Sequence, residues 1–118
     1  MQPYHAIDDG RWAIKRIGEQ RLQGTYAFKS MIDSGAHVAF GSDWPVAPLD
    51  PLTGVCAAVT RATIDGANPG GWLPNQKISS EQALTAYTRG NSYSGFMEDR
   101  TSVLAPGYLP TSPCLTLI

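Results

Sequence analysis

Asp43 has the clearest potential for chemistry in this chain. It follows a short apolar run from Val38 to Phe40 and a Gly-Ser pair, and Pro45 comes two residues later. This pattern is typical of a buried parallel strand that ends in a carboxylate, at the edge where α/β enzymes place their active sites. There Asp43 could bind a divalent metal, accept a proton from metal-bound water, or do both in turn. An aspartate close before a proline is equally typical of a turn or a helix cap, so the local pattern leaves both interpretations open.

His5 is the second candidate, because it ends a stretch that has the character of a strand tail, Gln2 to His5. Its imidazole could contact a substrate or lie beside a metal, although a lone histidine is more often a hydrogen-bonded structural residue. His37 would lie at the opposite end of the strand that leads to Asp43, so we expect it to be structural. The other candidates are expected to be solvated, capping or packing residues: Asp8, Asp9, Asp50, Trp44 and Trp72.

Motifs that would complete a catalytic or metal site are missing from the sequence. It contains no HxH, no CxxC, no glycine-rich phosphate loop and no nucleophile turn. Two histidines and scattered carboxylates cannot form a closed metal site by themselves. Cys56 and Cys114 are too few for a disulfide framework or a zinc cluster. Cys56 lies in an apolar helical run, so we expect it to be a small core residue.

Composition narrows the class of protein. The 118 residues are 42% hydrophobic and 16% charged, which is typical of a globular chain. The formal net charge of −1 gives no electrostatic basis for nucleic acid or membrane partners. No apolar run has the length of a transmembrane helix, and the first residues lack the pattern of a signal peptide. We therefore expect a cytoplasmic protein with no nucleic acid or membrane partner.

The elements that must position these residues are predicted to alternate between strand and helix. A strand over 37–42 leads to Asp43, and residues 1–5 form the tail of an earlier strand. Helices are predicted over 12–16, 25–34 and 52–63, and from Ser79 onward. This alternation predicts an α/β fold with parallel strands. One strand and a strand tail are too few for a closed barrel or a standard open sheet.

Two helix boundaries have distinct local signals. Gly35 follows the predicted helix over 25–34 and is expected to terminate it. Ser79 and Gln82 have the spacing of a capping box, which predicts the start of the last helix.

Five motifs, in order along the chain, resemble the C-terminal part of the metal-dependent amidohydrolase superfamily, and most closely its amidohydrolase family 3 branch. They are QPYH at 2–5, GTYAFKS at 24–30, AFGSDWPV at 39–46, KISSEQAL at 77–84 and AYT at 86–88. The resemblance covers about residues 1–109. It implies an α/β fold that corresponds to the last two βα units of a TIM (β/α)8 barrel, and an incomplete barrel, because the whole needs roughly 250 residues.

The resemblance also implies roles for the two candidate residues. Asp43 would follow the eighth strand, bind the metal and act as the catalytic general base. His5 would follow the seventh strand and either bind substrate or support a metal ligand. The implied reaction is hydrolysis of a non-peptide carbon–nitrogen bond in a small amide-type molecule. The implied cofactor is a divalent metal, with zinc expected, in the full-length parent. The metal-binding histidines of the earlier strands are absent, so we expect this chain alone to bind no metal and to be inactive.

Residues 110–118 depart from the family pattern. Residues 105–109 begin the expected turn, but the strand that should follow is replaced by a sequence rich in proline, threonine and leucine. A single-base deletion after the Leu109 codon would explain this tail, and Cys114 would then have no function.

Two other interpretations stay open at this stage. The chain could be a stand-alone α/β binding or interaction module without catalysis, or a small enzyme that another chain completes. Whether the chain alone is an enzyme is left undecided by the sequence.

Overall fold

All the regular structure that the computed structural model describes, over residues 1–109, is helical. The helices are α1 (Pro3–Asp9), α2 (Ala13–Ile17), α3 (Glu19–Leu22), α4 (Phe28–Asp33), α5 (Pro51–Thr60), α6 (Ser80–Tyr87) and α7 (Arg89–Ser94), with a 3-10 turn at Pro74–Gln76. No β-strand occurs within these residues. The prediction of an α/β fold, as the last two βα units of a TIM barrel, is therefore wrong. The expected aberrant tail, 110–118, lies outside the described residues.

The segment predicted as a strand, 37–42, pairs with a neighbouring segment at one residue only, which is too little for a ladder. The amino group of Met1 donates a hydrogen bond to the Ala39 carbonyl at 2.6 Å, and the Gly41 N–H donates to the Met1 carbonyl at 3.0 Å. In a parallel sheet, two hydrogen bonds of this kind pair one residue of a strand with one residue of its neighbour. The ladder stops there because Pro3 begins a helix instead of continuing alongside. An apolar run becomes a strand only where the pairing repeats.

α1 occupies the place predicted for the tail of a strand. Pro3 is its first residue, and the preceding Gln2 is extended, with φ −121° and ψ 99°. Proline suits this position, because the first turn of a helix does not use its backbone N–H groups and the ring already holds a helical φ. The helix buries Pro3, Ala6 and Ile7. His5 therefore lies on a helix and not at the end of a strand.

The two predicted helix boundaries are confirmed. Ser79 accepts a hydrogen bond from the Gln82 N–H, and the Gln82 side chain accepts one from the Ser79 N–H, which completes the capping box of α6. Gly35 follows α4 with φ +83°. Its N–H donates to Ile32 and the next N–H donates to the Met31 carbonyl, as in a Schellman motif.

α5 buries its small residues most deeply, and Cys56 is not among them. Gly54, Ala57 and Ala58 are buried, whereas Cys56 is exposed. These small residues permit a close approach of α1 and α6, which both pack against α5. The expectation that Cys56 is a core residue is therefore wrong.

The core joins these helices to the segment around Phe40. Phe28 and Phe40 are almost completely buried and pack edge to face, with ring centroids 5.2 Å apart. Ala6, Ala58 and Ala83 bring α1, α5 and α6 to the same cluster. In residues 1–109, no helix is long and apolar enough to cross a membrane.

Candidate metal centre

α1 and the turn after residue 42 bring His5 and Asp43 together. His5 Nε2 lies 3.3 Å from Asp43 Oδ2, and the two side chains are 20% and 49% exposed. The Nε2 atom itself is buried and makes no hydrogen bond, so the two atoms are in contact without an aligned bond. The pair therefore offers a carboxylate that solvent can reach and a nitrogen that no other protein group uses.

Asp43 lies in a tight turn. Its φ is +61°, in the left-handed region that aspartate tolerates better than most residues. Its carbonyl accepts hydrogen bonds from the N–H groups of Val46, at 2.8 Å, and Ala47, at 3.3 Å. The turn occupies the backbone of Asp43 and leaves its carboxylate to contact His5. The sequence predicted this carboxylate at the end of a strand, and the structure places it after an irregular segment.

Three contacts at the far end of α1 fix the helix that carries His5. The Ile64 N–H donates to the Ile7 carbonyl at 3.2 Å. The Tyr26 hydroxyl donates to the Asp9 carboxylate. Gly10 lies so close to Thr63 and Trp72 that a Cβ there would come within 2.9 Å of both side chains.

Arg61, which the sequence analysis missed, connects these contacts. It is fully buried, donates from Nε to the Trp72 carbonyl at 2.7 Å, and donates from Nη1 to the Tyr26 carbonyl at 3.0 Å. Its guanidinium lies over the rings of Phe28 and Trp72, at 5.3 and 5.5 Å from their centroids. Burial lowers the pKa of Arg61 to about 10. A lone arginine at the end of a helical pattern gives no sequence signal for such a role.

The other acidic candidates are used elsewhere. Asp50 caps α5 by accepting from the Leu52 N–H at 2.9 Å. Asp8 pairs with Arg11, and Asp9 accepts the Tyr26 hydroxyl. Over residues 1–109, no group of three or more histidine, cysteine, aspartate or glutamate side chains could hold a metal.

The remaining candidates do not extend the pair either. His37, which was expected to be structural, stacks on Tyr93 with ring centroids 3.9 Å apart. Trp72 packs into the core at 8% exposure, whereas Trp44 is 65% exposed. The expectation that both tryptophans are packing residues is therefore confirmed for Trp72 and wrong for Trp44.

The His5–Asp43 pair fits part of a metal site. Carboxylate oxygen and imidazole nitrogen are both common zinc ligands, and the unbonded Nε2 of His5 is the kind of atom that a bound group would satisfy. Even an open catalytic zinc site has three protein ligands. The pair can supply two ligands at most, and one if only Asp43 binds the metal, so the others must come from outside residues 1–109.

Similarity to known proteins assigns the chain to a family. The model of the amidohydrolase family matches residues 1–109, so the chain belongs to that family. The resemblance to amidohydrolases that the five motifs indicated is confirmed.

Two relatives show how much of an amidohydrolase this chain represents. Protein LONG AFTER FAR-RED 3 of Arabidopsis thaliana is 36% identical over 110 residues, which cover 92% of this chain and 18% of that protein. YtcJ of Bacillus subtilis, which is named as an amidohydrolase, is 32% identical over 108 residues, which cover 92% of this chain and 20% of that protein. The chain thus spans about a fifth of the length of these relatives.

Solved structures match this chain over a similar share, about a fifth, of their own length. An uncharacterized metal-dependent hydrolase from Pyrococcus horikoshii superposes with a TM-score of 0.80 at 30% identity, over 92% of this chain and 22% of that one. A second uncharacterized metal-dependent hydrolase, from Pyrococcus furiosus, superposes with a TM-score of 0.74 at 32% identity. The match covers 91% of this chain and 20% of that hydrolase. The shape of residues 1–109 therefore recurs inside much longer hydrolases.

Proposed function

We propose that residues 1–109 form part of a metal-dependent amidohydrolase that hydrolyses a non-peptide carbon–nitrogen bond in a small amide-type substrate. The observation that carries this proposal is the contact between the unbonded His5 Nε2 and the Asp43 carboxylate, at 3.3 Å. Family membership supports the reaction class, and the two Pyrococcus relatives support dependence on a metal. The proposed metal is zinc, and the proposed compartment is the cytoplasm.

Asp43 and His5 have different proposed roles. When bound, the metal would polarise the substrate carbonyl and lower the pKa of a water molecule. Asp43 would hold the metal through its carboxylate and accept the proton of the attacking water. Its half-exposed side chain can be reached from solvent, as both tasks require. His5 would contact the substrate through Nε2 from the neighbouring position on α1.

The proposal requires ligands that these residues do not supply. Because residues 1–109 hold only the His5–Asp43 pair, the rest of an amidohydrolase must contribute the remaining ligands and most of the substrate pocket. We therefore propose that the chain alone is inactive and that activity needs the assembled protein.

A hybrid protein tests the role of Asp43. In the Pyrococcus horikoshii hydrolase, the segment that matches this chain is replaced by residues 1–109, and bound zinc is measured by mass spectrometry after dialysis against a graded chelator. The substitution Asp43→Asn should lower zinc affinity at least about tenfold, because even residues that only support a ligand contribute that much.

Asp33→Asn is the matched control, since the Asp33 carboxylate is exposed and pairs with Lys29. Circular dichroism of each hybrid without zinc separates loss of the metal from loss of the fold. Equal zinc affinity in a folded Asp43→Asn hybrid would refute the assignment.

A further inference from the structure

Arg61 is a costly residue to bury. It is fully buried, and within residues 1–109 no carboxylate pairs with it. Its Nη2 atom is also buried and has no hydrogen-bond partner among these residues. An apolar side chain of similar volume would fill the same space without the cost of burying an unpaired charge. The cost indicates a role for the guanidinium beyond packing.

The guanidinium holds two distant segments in one fixed relation. Nε donates to the Trp72 carbonyl at 2.7 Å, and Nη1 donates to the Tyr26 carbonyl at 3.0 Å. The Trp72 N–H donates in return to the Arg61 carbonyl at 2.7 Å. Because the guanidinium is planar and rigid, its donors fix the two carbonyls relative to each other. A lysine ammonium, a point charge on a flexible stem, cannot impose this geometry.

Both of the residues that Arg61 binds contact the last turn of α1. The Tyr26 hydroxyl donates to the Asp9 carboxylate. The Trp72 ring lies so close to Gly10, the next residue, that an added Cβ would come within 2.9 Å of it. The Arg61 side chain thus reaches the carboxyl end of α1 by two routes, a polar one and a steric one.

The contacts at the carboxyl end of α1 determine where His5 lies. At the other end of the helix, Met1 is hydrogen-bonded to the segment that leads to Asp43. With that end tied, the direction of the helix depends on the contacts at its last turn. His5 and Asp9 are four positions apart and therefore share a face of α1. A shift of the last turn would carry His5 Nε2 out of its 3.3 Å contact with Asp43 Oδ2.

We propose that Arg61 is a positioning residue for the candidate site, which holds α1 so that His5 Nε2 lies against the Asp43 carboxylate. This inference rests on the proposed function and adds a residue to it. The hydrogen bonds of Arg61 go to Tyr26 and Trp72, so it acts on the pair through them.

Hydrogen exchange of the full 118-residue chain tests whether Arg61 holds α1. Arg61→Lys keeps the charge but lacks the planar fork. The amides of α1 should exchange at least about tenfold faster, because hydrogen bonds from a charged donor are lost, whereas those of α6 should change little. Arg16→Lys, at an exposed position of α2, is the matched control. Equal acceleration in α1 and α6, or none in α1, would overturn the proposal.

Tyr26→Phe keeps the proposal testable if the Arg61 variant does not fold. It removes only the hydroxyl that binds Asp9 and preserves the carbonyl that Arg61 holds. The amides of α1 should again exchange faster than those of α6, by a smaller factor, since the contact between Trp72 and Gly10 stays intact. Unchanged exchange of α1 would overturn the proposal, because the hydroxyl is its polar link to the helix.

Kinetics of the hybrid hydrolase separate positioning from general stability. Arg61→Lys should lower kcat/KM at least about tenfold with bound zinc unchanged, because small misplacements near reacting groups are costly. It should have little further effect when His5 is already alanine, since both changes remove the same contact. Additive losses would show that Arg61 does not act through His5 and would overturn the proposal.

The same variants separate this inference from the proposed function. If the exchange of α1 depends on Arg61 but His5→Ala leaves the kinetics unchanged, the positioning of α1 stands and the substrate role of His5 falls.

Discussion

A carboxylate that solvent can reach and a buried imidazole nitrogen meet at the candidate site. The two residues come from different kinds of local structure. Asp43 is held by a turn whose hydrogen bonds use its backbone, and His5 is held by a helix anchored at its other end. Each side chain can therefore be changed without removing the contacts that fix its backbone.

Replacement of His5 distinguishes a substrate contact from a metal ligand. In the hybrid hydrolase, His5→Ala should raise KM or lower kcat about tenfold or more while the bound zinc stays unchanged. The measurement is steady-state kinetics beside zinc content, with His37→Ala as the control, because His37 stacks on Tyr93 instead. Loss of zinc from the His5 variant would make this residue a ligand and contradict its proposed role.

Among the tyrosines of residues 1–109, Tyr26 should ionise at the highest pH. Burial raises its pKa, and so do its hydrogen bond to Asp9 and the charges of Asp9 and Asp8. Its pKa in the folded chain lies above the unfolded value near 10, so its contribution to stability is complete below pH 10 and is lost as the pH rises above it.

Absorbance at 295 nm during an alkaline titration measures the ionisation of the tyrosines. Tyr26→Phe should remove the last ionisation step and reduce the loss of stability above pH 10, whereas Tyr4→Phe should preserve both. Persistence of the late step in Tyr26→Phe would contradict the assignment.

At the scale of single residues, the sequence singled out Asp43 and His5, which the structure brings into contact, but it did not predict the local structure that carries them. Asp43 and His5 stood out because their types suit metal and acyl chemistry. Arg61 did not, because its importance comes from the carbonyls of Tyr26 and Trp72, which only the tertiary structure brings to it. A contact between segments that are 35 residues apart leaves no local pattern.

Helix boundaries set by neighbouring residues were predictable, and α6 allows a direct test. Ser79→Ala removes the side chain that accepts the Gln82 N–H, and it should lower the free energy of unfolding by about 1 kcal/mol. Chemical denaturation measures the change. Ser80→Ala is the control, because Ser80 is the first residue of α6 and lies outside the capping box. An equal loss in both variants would show that the cap contributes nothing specific.

Elements that depend on distant partners were not predictable. The run over 37–42 has the composition of a buried strand, but its pairing ends after one residue because α1 begins at Pro3. The exposure of Cys56 on α5 was not predictable for a similar reason. α1 and α6 pack closely against α5 and bury Gly54, Ala57 and Ala58. Val55 and Val59 pack against the core while partly buried, and Cys56 is left exposed.

At the scale of the whole molecule, the helices form a shared core but leave much apolar surface uncovered. Among residues 1–109, Phe96 is 92% exposed and Leu104 is 83% exposed. Together with the partial metal site, this exposed apolar surface is what we expect of a part that functions within a larger amidohydrolase.

The most direct test of this account is the position of the metal in the assembled protein. Crystals of the hybrid hydrolase, grown with zinc and measured at the zinc absorption edge, would locate it by anomalous scattering. We predict a peak about 2.0–2.2 Å from a carboxylate oxygen of Asp43, with His5 beside it. A zinc ion bound elsewhere, with Asp43 turned away from it, would contradict the central claim.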